Sequence, residues 1–236
     1  MEEHSCRRSA ESRRCTGWGT TGAVIALVAL CDVAPGAAAQ CPVEMAKLLA
    51  PEGTPQNSRA ADVCVFGDTA VIGSSGAGVG GAAYVFYRNE GGPHRWGLVA
   101  RLEPAGVVAH EEFGTSVAIA GDTIAVGATG HAGGDGGVYV FERDFGGSDS
   151  WGEVKVLVYS NGNPFGSLGQ SVAISADTIV AGAPDELSSY VGSVWVFERN
   201  LGGPQNWGEA AKLTQSDGNI GIGYLGGNVT IEGNTI

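Results

Sequence analysis

The chain has 236 residues, of which 40 are glycine and 43% are hydrophobic, so it can bury a core and make many tight turns. Its 25 acidic residues outnumber the 13 basic ones and give a formal net charge of −12. This charge argues against binding a nucleic-acid backbone or an anionic lipid surface, because Lys and Arg provide most of the affinity for both.

Residues 1–39 have the organisation of a secretory signal peptide. Four arginines precede an apolar run at residues 22–31, and small residues at 36–39 offer a cleavage site after Ala39. A run of about ten apolar residues is too short to span a bilayer, which needs about 20. We therefore expect export without membrane insertion, to the periplasm, the cell surface or the medium. A short linker over residues 40–46 is expected to follow the cleavage site.

Two cysteines, Cys41 and Cys64, would remain after cleavage. Disulfides persist in the oxidising compartments outside the cytoplasm, so a Cys41–Cys64 bridge could anchor the new N-terminus. The alternative is that Cys64 is a small buried hydrophobic residue. The sequence contains no cluster of cysteine and histidine with the spacing of a structural zinc site.

A period of about 55 residues dominates residues 47–236. The segment Tyr-Val-Phe-Tyr-Arg at 84–88 returns as Tyr-Val-Phe-Glu-Arg at 139–143 and as Trp-Val-Phe-Glu-Arg at 195–199. Three tryptophans, each followed by glycine, recur at the same interval: Trp96, Trp151 and Trp207. The sequence therefore predicts units at 47–100, 101–155 and 156–211, with an incomplete fourth unit at 212–236.

Each unit is predicted to contain four β-strands. In the second unit these are Ser116–Ala120, Thr123–Gly127, Gly137–Phe141 and Trp151–Leu157. A Gly-Asp turn joins the first two, because glycine reaches positive φ without steric cost. The third strand is apolar on both faces, which implies burial from both sides. Four antiparallel strands per unit, repeated radially, predict an all-β fold built from propeller blades rather than a stacked solenoid.

Two short motifs recur at fixed places in the second and third units: Phe113-Gly114 with Gly127-Ala128-Thr129, and Leu168-Gly169 with Gly182-Ala183-Pro184. They resemble the FG-GAP repeat, the blade unit of seven-bladed propellers similar to the head of integrin α chains and common in exported bacterial proteins. The first unit is degenerate, and the fourth begins with Leu225-Gly226. Three units and a fragment cannot close seven blades, so we expect an incomplete part of such a propeller. The motif residues and the tryptophans are expected to be structural.

Relatives with this repeat often bind calcium through a loop patterned Asp-x-Asp-x-Asp-Gly-x-x-Asp. The loops at 103–112, 159–166 and 214–223 lack that series of carboxylates, so no metal ligand is assigned and no cofactor is expected, with calcium kept as the alternative that the resemblance implies. No catalytic residue is predicted either. Ser116 and Ser171 repeat in register on strands, and the GxGxxG match at 221–226 precedes a strand rather than a helix.

The resemblance implies an exported, non-catalytic scaffold that presents its loops to a protein or surface ligand, as in adhesion. The alternative is a carbohydrate-binding propeller, a lectin or an accessory module of a hydrolase, in which the three tryptophans stack on sugars. Their strict repetition at a strand start favours packing between blades. The loops at 130–136 and 184–190 differ between units, so the sequence does not identify the ligand.

Overall fold

The computed structural model describes residues 26–27, 47–48, 60–93, 95–106, 109–160, 165–186, 191–215, 224–233 and 235–236. Within these ranges the chain is β-structure and turns, with one 3₁₀ turn at His131–Gly133. No helix in the described part has the length and hydrophobicity required to cross a bilayer. The predicted signal peptide and linker lie outside the described residues, apart from Ala26 and Leu27.

The strands form three four-stranded antiparallel sheets, and within each sheet the strands follow chain order. Two short strands, β1 (Ala26–Leu27) and β2 (Lys47–Leu48), pair with each other. The first sheet contains β3 (Asp62–Phe66), β4 (Thr69–Ser74), β5 (Ala82–Arg88) and β6 (Trp96–Leu102). The second contains β7 (Phe113–Ala120), β8 (Thr123–Ala128), β9 (Gly137–Arg143) and β10 (Trp151–Leu157). The third contains β11 (Ser171–Ser175), β12 (Thr178–Ala183), β13 (Ser193–Arg199) and β14 (Trp207–Leu213). The predicted all-β fold of four-stranded, blade-like sheets is confirmed.

A two-residue turn joins the first two strands of every sheet. Gly67 and Gly121 open two of these turns at φ 55° and 57°, and Ala176 opens the third at φ 48°. Alanine is strained there by about 1–2 kcal/mol, because its Cβ approaches the following carbonyl oxygen. The pairing of the third and fourth strands also shifts its register at the same position in each sheet. The shift lies next to Phe86 in the first sheet, next to the pair formed by Phe141 and Glu153 in the second, and next to Phe197 in the third. The three sheets therefore repeat one backbone plan, including its irregularities.

The sheets pack face to face, and the second lies between the other two. Its side chains alternate: Ile119 and Phe141 belong to a core shared with the first sheet. Ala118 and Val140 belong to a core shared with the third. Because successive residues of a strand point to opposite faces, this explains why β9 is apolar on both faces.

The motif glycines lie where neighbouring sheets approach most closely. A Cβ on Gly127 would overlap the carbonyl oxygen of Gly169, and Gly73 and Gly182 meet Gly114 and Gly226 in the same way. Gly114 and Gly169 themselves have positive φ, 90° and 88°. Glycine is required at these contacts because the two backbones leave no space for a side chain.

Candidate functional site

The three sheets have two chemically different ends. One, the turn end, holds the turns at 67–68, 121–122 and 176–177 and the second hairpins at 89–95, 144–150 and 200–206. The other, the connection end, holds the loops at 75–81 and 129–136 and the described parts of 103–112, 158–170, 184–192 and 214–224. Antiparallel strands in chain order place these segments at opposite ends of each sheet.

An arginine closes the third strand of every sheet at the turn end. Its Nε contacts the Oδ1 of the aspartate in the two-residue turn, at 2.8 Å for Arg88–Asp68 and Arg143–Asp122 and 2.7 Å for Arg199–Asp177. Its guanidinium also lies over the repeated tryptophan, 5.2, 4.8 and 4.7 Å from the ring centres of Trp96, Trp151 and Trp207. The periodic Arg and Asp were visible in the sequence, but their pairing required the fold.

Two of these arginines also reach back to the preceding sheet. Arg143 donates to the hydroxyl of Tyr87 at 2.6 Å and to Thr69 Oγ1 at 3.4 Å. Arg199 donates to Glu142 Oε1 and, at 2.7 Å, to Thr123 Oγ1. We call these contacts the arginine clamp. The guanidinium is planar and carries five hydrogen-bond donors. It can therefore donate to acceptors in its own sheet and in the neighbouring sheet at the same time.

The connection end of the second sheet contains a largely buried cluster. Tyr139 on β9 donates to Glu111 Oε2 at 2.8 Å, and His131 Nδ1 lies 3.1 Å from both the Glu111 Oε2 and the Tyr139 hydroxyl. Burial raises the pKa of Tyr139 above its ordinary value, and the hydrogen bond to Glu111 raises it further. The phenol therefore remains a donor, and the cluster fixes the 3₁₀ turn against the segment that precedes β7.

The third sheet has a related cluster made from different parts of the chain. Glu186, in the loop after β12, accepts from Trp195 Nε1 at 2.9 Å, from Lys212 Nζ at 2.5 Å and from Ser193 Oγ. Trp195 occupies the position that Tyr139 has in the second sheet. The carboxylate comes from a different segment in each sheet, so no sequence period could have revealed these residues.

Apolar side chains protrude at the connection end. Phe165 and Tyr224 are 70% and 54% exposed, and Val79 in the loop after β4 is exposed as well. Phe165 and Tyr224 also have positive φ, 67° and 46°. Large side chains rarely adopt this backbone conformation, so both are presented on strained segments.

The predicted motif residues lie inside the structure. Phe113 and Leu168 are buried, and so are Ala128, Ala183 and Pro184. Trp151 and Trp207 are only 8% and 2% exposed, whereas Trp96 is half-buried. Trp151 Nε1 donates to Tyr87 of the first sheet at 2.9 Å, so this ring lies in a contact between sheets.

Cys64 is disulfide-bonded and buried. Its expected partner, Cys41, lies outside the described residues, so the Cys41–Cys64 pairing stays a prediction. Parts of the calcium-type loops, at 107–108, 161–164 and 216–223, also lie outside them. In the described part of the chain, no group of three His, Cys, Asp or Glu is placed to hold a metal ion.

The family model of the FG-GAP repeat matches residues 96–141 and 151–197. Each match runs from the fourth strand of one sheet to the third strand of the next, so a repeat defined by sequence spans two sheets. No curated protein matches the chain significantly.

Proposed function

Because the chain is an FG-GAP repeat protein, we propose that it is a non-catalytic propeller scaffold that recognises a protein or surface ligand through its connection end. We also propose that it is exported, as residues 1–39 suggest. The observation that carries the proposal is the contrast between the two ends. The turn end repeats the same turns and the same Arg–Asp–Trp contacts, while the connection end differs in each sheet. Variable loops on a constant scaffold are typical of recognition surfaces.

The side chains exposed at the connection end support this assignment. Val79, Phe165 and Tyr224 project from three different connecting segments. Aromatic side chains are enriched at the centres of protein interfaces, because they bury a large area with few rotatable bonds. Scattered exposed apolar residues need no explanation, but aromatic residues held on strained backbone at one end favour a binding role.

The buried carboxylates at this end are suited to a structural role. Glu111 and Glu186 each accept two or three hydrogen bonds from side chains of their own sheet. A carboxylate that is buried and already satisfied in this way holds loops in place. Neither residue is therefore proposed as a general acid or base.

The carbohydrate alternative lacks support in the described residues. A sugar-stacking ring needs exposed aromatic faces, but an arginine covers Trp151 and Trp207 and both rings are buried. We therefore propose that these tryptophans contribute to packing, and that ligand contacts come from the loops.

Selection of displayed peptides on the immobilised protein, together with a glycan array, tests the proposal. We expect peptide ligands that lose at least tenfold in affinity with Phe165→Ser or Tyr224→Ser. Arg95→Gln, at the turn end, serves as the matched control and should bind normally. Glycan binding that is lost when Trp151 is replaced by Phe would overturn the proposal, as would ligands that map to the turn end. Export has its own test, since N-terminal sequencing of the secreted chain should begin at Gln40.

A further inference from the structure

The two buried carboxylates at the connection end have different basic partners. Glu186 is 2% exposed and contacts Lys212, and a lysine ammonium carries its charge throughout the physiological pH range. Glu111 is 4% exposed, and no described lysine or arginine forms an ion pair with it. The basic group that contacts it is His131, whose Nδ1 lies 3.1 Å from the Glu111 Oε2. The charge next to Glu111 therefore depends on whether the imidazole is protonated.

The His131 side chain lies between strand β9 and the segment that precedes β7. Its ring meets the ring of Tyr139 edge-on, with the ring centres 5.6 Å apart, and its Nδ1 also lies 3.1 Å from the Tyr139 hydroxyl. A Cβ on Gly137 would come within 3.0 Å of the imidazole Cδ2, so glycine at this position leaves room for the ring. The His131 side chain is 23% exposed, so it exchanges protons with water while Glu111 stays buried.

Most of the ionisable groups on the elements around this imidazole are acidic. They lie in the segment before β7, in the loop after β8, on β9 and on β10: His110, Glu111, Glu112, Asp135, Tyr139 and Glu153. Four of these six groups are carboxylates. A positive charge on the imidazole is therefore attracted by the negative charge that surrounds it.

His131 anchors the loop after β8. Its backbone carbonyl accepts from the amides of Gly134 and Gly136, at 3.2 and 3.0 Å. Between them, Ala132 has φ 52°, a conformation that is strained for a residue with a Cβ and persists only where the surrounding structure holds it. The contact between His131 and Glu111 therefore helps to keep this loop in its folded conformation.

The loop after β8 supports the exposed Phe165. The Phe165 amide donates to Asp135 Oδ1 at 3.2 Å, and the Ser167 amide donates to the carbonyl of Gly134 at 3.2 Å. A Cβ on Gly134 would lie 3.2 Å from the Phe165 ring, so the ring rests directly on the loop. A change that loosens the loop therefore also loosens the support of a side chain that the proposed function places at the ligand.

We propose that His131 and Glu111 form a pH-sensitive contact that strengthens ligand recognition at the connection end under mildly acidic conditions. The inference rests on the proposed function, because it concerns how Phe165 is presented to a ligand. When the imidazole is protonated, its Nδ1–H donates to the carboxylate in a charge-assisted hydrogen bond, and the loop is held firmly. When the imidazole is neutral, Nδ1 still donates, but the attraction between opposite charges is lost.

The direction of the pH dependence follows from the binding of the proton. A proton that binds more tightly when the loop is docked on Glu111 favours the docked loop. This contribution is therefore complete at low pH and declines as the pH rises through the range in which histidine loses its proton. In the third sheet, the ammonium of Lys212 keeps its charge over the same range, so the contact with Glu186 has no such dependence.

Binding of peptides to the full chain at two pH values tests the proposal. The probes are selected peptides that lose affinity with Phe165→Ser and contain no histidine or acidic residue. Surface plasmon resonance should show about fivefold tighter binding at about pH 5.5 than at about pH 7.5. His131→Gln keeps a hydrogen-bond donor without a charge, so its affinity should be equal at both pH values. His110→Gln, at an exposed histidine of the same end, is the matched control and should keep the full dependence.

Two results would overturn the proposal: equal affinity of the unmodified chain at both pH values, or a pH dependence that survives in His131→Gln. A permanent charge at the same position provides the reverse test. His131→Lys places an ammonium beside Glu111, as Lys212 does beside Glu186, and should bind tightly at both pH values. A dependence in this variant as large as that of the unmodified chain would also overturn the proposal. This variant decides the question if His131→Gln fails to fold.

A measurement without ligand separates this inference from the proposed function. In an NMR pH titration of the isotope-labelled full chain, the amide signals of Gly134 and Phe165 should shift with the same midpoint as the His131 ring signals. These shifts should vanish in His131→Gln. Amide signals that do not follow His131 would overturn the pH-sensitive contact, even where peptides bind at the connection end. If the signals follow His131 but no peptide binds there, the contact is supported and the proposed function fails.

Discussion

The turn end and the connection end both fix loops to their own sheet through charged side chains, but they do so by different means. At the turn end, one arginine contact is repeated with nearly equal lengths, 2.8, 2.8 and 2.7 Å. At the connection end, the second sheet uses Glu111 with His131, and the third uses Glu186 with Lys212. The comparison teaches that the contacts between neighbouring sheets recur at the turn end, where Arg143 and Arg199 also bind the preceding sheet. The other end is then free to differ in sequence.

The residues at the connection end differ between the second and third sheets, but both sheets bury a carboxylate that needs hydrogen-bond donors. Both carboxylates are buried and accept from the aromatic residue of the third strand, Tyr139 or Trp195. A buried carboxylate without such donors would be strongly destabilising. Each sheet must therefore place hydrogen-bond donors around the carboxylate that its loop buries. The loops therefore differ in residues while they share one electrostatic requirement.

The largest expected effect lies at the turn end. Trp151→Ala should lower the free energy of unfolding by about 3–5 kcal/mol, because it deletes a large buried aromatic side chain from the contact between two sheets. Trp96→Ala is the matched control and should cost clearly less, because Trp96 is only half-buried. Urea unfolding of both variants gives the comparison. Equal losses would contradict the view that the contact between sheets, rather than the tryptophan itself, supplies the stability.

The second effect concerns the clamp. Arg199→Gln should cost about 1.5–3 kcal/mol, because it removes hydrogen bonds to Glu142 and Thr123 in which charge takes part. Arg88→Gln should cost less than about 1 kcal/mol, since among the described residues Arg88 forms an ion pair only with the exposed Asp68. Denaturant midpoints measure both changes. A loss for Arg88→Gln as large as that for Arg199→Gln would show that the clamp adds nothing across the sheets.

The third effect is a dependence on alkaline pH that belongs to the connection end. Burial raises the pKa of Tyr139 and of Tyr159, so the folded chain keeps these protons where the unfolded chain loses them. Their contribution to stability is therefore complete below about pH 10 and declines as the pH rises above it. Urea unfolding between about pH 9 and about pH 11 should show this decline, and Tyr139→Phe should make it shallower. Tyr224→Phe, at an exposed position, is the control, and a similar change in slope there would argue against burial as the cause.

Most of the fold could be predicted from the sequence because each repeat needs the same turns, the same buried residues and the same close contacts between sheets. Phe113 and Leu168 recur with a glycine that must approach the preceding sheet, so a short motif reports a packing contact. The turn at Gly121-Asp122 and the two apolar faces of β9 follow from local rules in the same way. These features could be recognised without coordinates.

The carboxylate contacts of the connection end could not be predicted, because they join residues without a common spacing. Glu111 lies 28 residues before Tyr139, whereas Glu186 lies nine residues before Trp195. Arg143 was visible as a repeated residue, but its contact with Thr69, 74 residues away, depends on how the sheets stack. Sequence periodicity identifies which residues belong to the scaffold, while pairing across sheets and loops requires the three-dimensional arrangement.

The smallest effect on stability should accompany the largest effect on recognition. Phe165→Asn should change the free energy of unfolding by no more than about 0.5 kcal/mol, because the ring is mostly exposed and asparagine tolerates the positive φ at this position. The same substitution should remove most of the affinity for peptides selected on the unmodified protein, as measured by surface plasmon resonance. Phe145→Asn removes an exposed aromatic residue from a turn-end hairpin and should leave that affinity unchanged. If both substitutions weaken binding equally, recognition is not confined to the connection end. Variation between the loops would then reflect only the absence of a packing requirement.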